Sequence, residues 1–287
     1  MTERAEEAEE EKVGSILLVG AGRMGGALLE GWLRAGMDPA AIAVVDPAPR
    51  ALPAGVRHHP DLAAWAQAAR ESPDVLVLAI KPQQAAPLIT ELAELVRGQP
   101  VRLGGCVVAS IAAGVPLAAL AGIGLPVVRA MPNLPAGVGA GITALFAEEE
   151  VAPASRRRVE AAFALVGAVV WLARESDIDL ATAVSGSGPA YVYAFAEALE
   201  KAAVRLGFTP RLAAALARQT VIGAARLMAE SGADPARLRE EVTSPGGTTA
   251  AALAVLQGAG GLDDLCTRAV AAAARRAEEL FGKDDRS

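Results

Sequence analysis

Aromatic side chains are scarce in this chain: 3% of 287 residues, although 53% are hydrophobic. The core must therefore come mainly from Ala, Val and Leu, which favours closely packed helices. Cysteine is rarer still. Cys106 and Cys266 stand far apart, which excludes a disulfide framework, and no metal-ligand spacing surrounds either, so no metal is expected. Histidine is limited to His58 and His59, in a polar stretch read as a loop. Basic charge is short as well: a net charge of −6 argues against a nucleic acid held on a broad basic face. Arg greatly outnumbers Lys, which carries no functional information. Residues Thr2 to Lys12 are a Glu run with Arg and Ala and lack the apolar core of a signal peptide. A cytoplasmic protein is expected, with residues 1–13 a solvated tail.

One stretch imitates a membrane span. Leu103 to Val128 is uncharged and long enough to cross a bilayer. Gly104-Gly105, Gly114, Pro116, Gly122, Gly124 and Pro126 interrupt it, so it reads as strand, turn, short helix and strand buried in an α/β core. No membrane partner is expected.

What is present is alternation. Apolar runs at Ile16–Val19, Ile42–Val45, Val75–Ile80, Val107–Ile111 and Val127–Ala130 read as buried strands. Helical patterns at Gly25–Ala35, Asp61–Ala69, Pro82–Val96 and Pro116–Leu120 separate them. This is the order of a parallel, doubly wound sheet. Gly141–Ala147 and Val169–Ala173 are expected to add edge strands, with a helix at Pro153–Val166 between them. Beyond Ala173 helices take over: Asp177–Leu206, Pro210–Glu230, Pro235–Val242, Thr248–Leu256 and Leu262–Phe281. The expected division is therefore a Rossmann-type dinucleotide domain at 14–173 and an all-helical domain at 174–287. Pro189–Leu199 is apolar on most sides, and a domain of little more than a hundred residues can hardly bury it alone. A second subunit is predicted to cover it.

Gly20-Ala21-Gly22-Arg23-Met24-Gly25 follows the first strand and opens a helix, the context in which GxGxxG binds a dinucleotide. The first glycine permits the tight turn, the second lets backbone approach the pyrophosphate, and the third allows helix–strand packing. Asp46 ends the second strand, where a carboxylate accepts from ribose hydroxyls and repels a 2′-phosphate. That favours NADH, whereas Arg50 and Arg23 point toward a phosphate. A plain turn at Asp46-Pro47 is the bland alternative. Lys81-Pro82-Gln83 follows a strand on the ligand face and suits cofactor phosphate or ribose, or an ordinary strand-to-helix turn.

Two motifs lie in the second half. Ser185-Gly186-Ser187-Gly188-Pro189-Ala190-Tyr191 is a crowded bend of small residues, suited to close helix packing or to a ligand. Val242-Thr243-Ser244-Pro245-Gly246-Gly247-Thr248-Thr249 opens a helix. Free N–H groups and the positive dipole end make such an opening an anion cradle, and its residues are also ordinary capping chemistry. A hydroxy-acid dehydrogenase must take a proton from an alcohol, commonly with His or Lys. No histidine follows Arg174, and Lys201 reads as a solvated helix residue. A cyclic iminium needs no such base: it accepts hydride at carbon once its carboxylate is held and its ring nitrogen is faced by a hydroxyl.

The glycine loop, Lys81-Pro82-Gln83, Arg129-Ala130-Met131-Pro132-Asn133, the Ser185–Tyr191 segment and Thr243–Thr249 occur in this order. Together they resemble pyrroline-5-carboxylate reductases over nearly the whole chain, Thr243–Thr249 being the most specific motif. The resemblance implies reduction of L-1-pyrroline-5-carboxylate to L-proline by NADPH or NADH. It implies a homodimer through intertwined C-terminal helices, possible assembly into a ring of dimers, and a site between the cofactor and the partner's helical domain. Ser244, Gly246, Gly247, Thr248 and Thr249 would hold the substrate carboxylate, with the catalytic Thr249 hydroxyl facing the ring nitrogen. Gly20, Gly22, Arg23, Met24, Gly25, Asp46, Lys81 and Pro82 would bind the cofactor, with Met131, Pro132 and Asn133 beside the nicotinamide. Three positions depart from the pattern. Arg23 stands where the family usually has Asn or another small polar residue, Leu134 where it usually has Thr, and Asp46 where many members have a neutral residue suited to NADPH. Acceptance of both cofactors is expected. The competing readings are another imine or β-hydroxy-acid reductase, which would place a lysine near the nicotinamide, and a non-catalytic dinucleotide sensor, which has no use for Ser244–Thr249.

Overall fold

The computed structural model describes residues 13–49, 51–98 and 103–281. The acidic stretch and Arg50, both singled out above, fall outside them. Eight strands form one sheet: β1 (Ile16–Val19), β2 (Ile42–Val45), β3 (Arg57–His59), β4 (Val75–Leu78), β5 (Val107–Ser110), β6 (Val127–Met131), β7 (Gly141–Phe146) and β8 (Gly167–Trp171). Their order is β3-β2-β1-β4-β5-β6-β7-β8. The first six are parallel; β7 runs antiparallel to β6, and β8 parallel to β7. The fold is α/β, with a Rossmann-type doubly wound sheet followed by helices.

The apolar runs form strands because both sheet faces are covered. Ile16 and Leu18 pack into one buried cluster, while Leu17 and Val19 pack into another on the opposite face. Helices α1 (Arg23–Arg34), α2 (Leu62–Ala68), α3 (Ala85–Gly98), the short α4 (Leu117–Leu120) and α5 (Pro153–Ala164) connect the strands. Trp32 of α1 is fully buried, and its indole N–H donates to the Ala162 carbonyl of α5 at 2.8 Å. Asp61 caps α2 by accepting from the Ala64 N–H.

Three readings of the sequence need correction. His58 and His59 lie on β3, not in a loop; pairing with β2 holds them there despite their polarity. Gly141–Phe146 is an interior strand rather than an edge, because β8 pairs on its far side. The single helix expected over Asp177–Leu206 is three pieces: α6 (Asp177–Ala181), one π turn (Thr182–Gly186) and α7 (Gly188–Arg205). Pro189 has no N–H for the Ser185 carbonyl, which breaks the regular ladder there.

The remaining helices are α8 (Pro210–Ser231), α9 (Pro235–Glu241), α10 (Thr248–Leu256) and α11 (Leu262–Phe281). Ser187–Ala273 form one compact unit, and the other described residues form a second. α6 belongs with the sheet unit, where Ile178 is fully buried against Met131 and Ala144. In the helical unit little is covered. α7 buries no residue, and α8 buries only Ala213 and Ala217. Val192, Tyr193, Phe195 and Leu199 of α7 are all exposed. Among the described residues no helix is long and apolar enough to cross a membrane.

Candidate active site

The strand order reverses between β1 and β4, where a doubly wound sheet leaves its ligand crevice. A cleft of about 630 Å³ lies there, lined by Gly20, Gly22, Asp46, Asp61, Lys81 and Glu91. Gly20 has φ +96°, and a Cβ on it would stand 2.4 Å from the Ala79 carbonyl oxygen, so the turn admits only glycine. A Cβ on Gly25 would lie 2.1 Å from the Gly20 oxygen. Gly22 differs: its Cβ would meet nothing within 4 Å, which leaves open space above the loop. α1 starts with neither a side-chain cap nor an acidic residue in its first turn. Its N–H groups are therefore free for an anion.

Asp46 is pinned at every polar atom. Its N–H donates to the His59 carbonyl at 3.1 Å, and its carbonyl lies 2.8 Å from His58 Nε2. Its Oδ2 accepts from the Ala21 N–H at 2.7 Å and its Oδ1 from the Ala48 N–H at 2.9 Å. Asp46 is thus both turn and charge: the carboxylate that closes the turn faces the cleft and cannot swing aside. Burial lowers the pKa of His59, with help from the Arg57 charge. Burial also raises the pKa of Glu91, as does the neighbouring charge of Asp61. Asp61 and Glu91 were missed in the sequence. The Asp-Leu start of α2 marks Asp61 as a cap, but nothing local marks it as a cleft residue.

Arg23 and Met24 occupy the first turn of α1, with Arg23 exposed. Lys81, exposed, precedes the 3₁₀ turn Pro82–Gln84, and its N–H donates to Gln84 Oε1 at 3.3 Å. Met131 and Pro132 are buried where β6 leaves the sheet. Asn133 is buried too and spends both ends of its amide internally: Oδ1 accepts from the Ile142 N–H and Nδ2 donates to the Ser185 carbonyl, each at 3.0 Å. Arg129, just before, ion-pairs with Glu175 at 3.0 Å and lies 3.5 Å from Asp179 Oδ1. Glu175 Oε1 also accepts from the Leu117 N–H. Burial is the largest influence on Asp179 and raises its pKa despite Arg129. Cys106 is buried, its thiol pushed up to about 12, and therefore chemically inert.

The second half of the expected site lies in the helical unit. Ser244, Pro245, Gly246 and Gly247 make a tight turn, with the Gly247 N–H donating to the Ser244 carbonyl at 3.0 Å. Pro at the second place and Gly246 at φ +70° in the third are what such a turn requires. Gly247 then caps α10 without any side-chain bond. No side chain closes this helix start, and the turn of the plain reading is present at Ser244–Gly247. Ser244 and Thr248 are exposed and Thr249 is half-buried. Lys201 forms an exposed pair with Glu197, as a solvated helix residue does.

Residues 175–280 match the family model for pyrroline-5-carboxylate reductase dimerisation, and residues 15–101 match the model for NADP oxidoreductase, coenzyme F420-dependent. A pyrroline-5-carboxylate reductase from Pseudomonas aeruginosa is 38% identical over 270 residues, covering 92% of this chain and 96% of the relative. The solved pyrroline-5-carboxylate reductase of Coxiella burnetii is 37% identical with a TM-score of 0.81, covering 94% of this chain and 99% of that one. The Plasmodium falciparum pyrroline carboxylate reductase, solved with NADP bound, is 26% identical with a TM-score of 0.76, covering 93% and 98%. With an uncapped helix start behind Ser244–Gly247 and an open glycine loop on the sheet, this chain belongs to the pyrroline-5-carboxylate reductase family.

Proposed function

We propose that this chain reduces L-1-pyrroline-5-carboxylate to L-proline, the last step of proline biosynthesis, with NADH or NADPH as hydride donor. The observation that carries this reading is the uncapped start of α10 at Gly247–Thr249, behind a turn that leaves its N–H groups available. Ser244, Gly246, Gly247, Thr248 and Thr249 hold the substrate carboxylate there. The Thr249 hydroxyl faces the ring nitrogen. The ring nitrogen enters already protonated, as a cyclic iminium; hydride adds to its carbon, and the C=N π pair becomes the lone pair of the neutral amine nitrogen. The residues have only to hold and orient, which accords with a chain whose sole histidines sit on β3.

The glycine loop, Arg23, Met24, Lys81 and Pro82 bind the cofactor. Met131 and Pro132 lie beside the nicotinamide. The immobile Asp46, with Asp61 also lining the cleft, favours NADH over NADPH, because a 2′-phosphate would meet a carboxylate that cannot withdraw. Residues 14–173 serve as the dinucleotide domain and 174–287 as the helical dimerisation and substrate domain. The exposed apolar faces of α7 and α8 support pairing of two copies, with a ring of such dimers as the larger assembly. The working compartment is the cytoplasm.

The test is direct. Purified protein, pyrroline-5-carboxylate and either reduced nucleotide should give nucleotide oxidation and an equal yield of proline. No turnover with both nucleotides refutes the reading.

A further inference from the structure

A carbonyl without a partner is written into the sequence at Ser185. In an α-helix its acceptor would be met by the N–H of residue 189, but that residue is Pro189. In a π turn the next donor would be the Ala190 N–H, which is already committed to the Ser187 carbonyl at 3.0 Å. A half-buried carbonyl in this state must find a donor elsewhere or lose a hydrogen bond. It finds one 52 residues back: Asn133 Nδ2, at 3.0 Å.

The same amide faces the other way as well. Asn133 Oδ1 accepts from the Ile142 N–H at the start of β7. Asn133 also precedes the 3₁₀ turn Leu134–Val138, which seats on α1 so closely that a Cβ on Gly31 would stand 2.3 Å from the Ala136 oxygen. One side chain therefore ties together the sheet, the turn resting on the glycine-loop helix, and the π turn that leads to α7. Two further hydrogen bonds shape that π turn from within. Thr182 Oγ1 donates to the Ile178 carbonyl at 3.0 Å, and Ser185 Oγ donates to the Ala181 carbonyl at 2.9 Å. Neither of them joins the turn to the sheet; Asn133 does.

We infer that Asn133 is a positioning residue: it holds the π turn Thr182–Gly186 against the carboxyl edge of the sheet, and so fixes the wall that follows Met131 and Pro132, the residues proposed to lie beside the nicotinamide. It acts through the Ser185 carbonyl rather than by touching cofactor, which revises the cofactor-contact role suggested by the family resemblance. The inference rests on the reductase reading above. Pro189 is its complement, since the proline removes the donor that would otherwise straighten the turn into helix.

The experiment separates positioning from mere hydrogen-bond satisfaction. Asn133→Asp keeps the acceptor for Ile142 but sets a carboxylate against the Ser185 carbonyl; Asn133→Ala removes both bonds. Each should lower kcat/KM for pyrroline-5-carboxylate about tenfold or more, the scale of a misplaced reacting group, while the dissociation constant for NADH stays within about twofold. Adding Pro189→Ala to Asn133→Ala restores an N–H at position 189. Tm should then recover while kcat/KM does not, because the carbonyl is satisfied in a straight helix and the turn is lost. Recovery of both together would show that Asn133 only satisfies a carbonyl, and it would overturn the inference. So would an unchanged kcat/KM in Asn133→Ala, or loss of NADH binding in proportion to activity. Wild-type protein is the control: if it turns over neither nucleotide, the function itself fails, and the positioning role with it.

Discussion

Replacing Asp46 tests how this chain chooses between its two cofactors. The carboxylate is fixed by the Ala21 and Ala48 N–H groups, so it cannot rotate out of the way of a 2′-phosphate. At a separation of about 5 Å, a unit negative charge on the phosphate meets a repulsion of about 1 kcal/mol at the dielectric of water and about 3 kcal/mol at an effective dielectric near 20. Asp46 is half-buried, which places it between these limits. The discrimination against NADPH expected from this charge is about 5-fold to about 150-fold. Asp46→Asn removes the charge and retains one of the two backbone bonds; the second N–H loses its acceptor, a cost of about 1 to 3 kcal/mol in stability. Asp46→Ala removes both. Initial rates with each nucleotide at saturating pyrroline-5-carboxylate give the ratio of the two kcat/KM values. The ratio should move toward NADPH in both variants, mainly through a gain with NADPH. Asp61→Asn should move it the same way by less, since Asp61 is exposed and its Oδ1 is already held by the α2 N-terminus. An unchanged ratio in Asp46→Ala would show that the carboxylate merely closes a turn.

Three further outcomes are expected. Thr249→Val should lower kcat/KM for pyrroline-5-carboxylate about tenfold or more, as befits a lost hydrogen bond to a charged group; unchanged kinetics remove Thr249 from the mechanism. Sedimentation should give a dimer or larger, since α7 buries no residue within one chain, and a stable monomer refutes the shared helical core. Burial holds the folded-state pKa of Asp179 above its ordinary value of 3.8, so the folded protein binds its proton more tightly than the unfolded chain does. That contribution is fully present below 3.8 and is lost as pH rises through the raised value. Wild type should therefore lose stability relative to Asp179→Asn over that interval, followed by thermal melts at a series of pH values. A difference that is flat with pH, or that grows in the opposite sense, sinks this account.

Much of the sheet was legible because buried parallel strands write themselves as apolar runs: Ile16–Val19 and Ile42–Val45 form strands over those same residues. β3 was not legible. Arg57-His58-His59 has no apolar period, and only an open edge on β2, which no local pattern records, makes it a strand. The antiparallel turn of β7 was hidden for the same reason: direction is a property of the pair, not of the run. At the site, the glycine loop and the Ser244–Gly247 turn could be read locally, because Gly20 and Gly246 take backbone conformations open to little else. Asn133 could not, since its two partners lie 9 and 52 residues away.

The sequence by itself determined the layers, the glycine loop and the family. Each of these follows from neighbours along the chain: apolar period, a glycine where φ must be positive, a proline without an N–H. The tertiary structure decided which atoms those features leave unpaired and what meets them. Asp46 became an immovable charge only when Ala21, Ala48, His58 and His59 closed on it. Asn133 became a brace only when the fold carried the carbonyl orphaned by Pro189 to within 3.0 Å of it. A hydrogen bond is a matter of distance, and distance between remote residues exists only once the chain has folded.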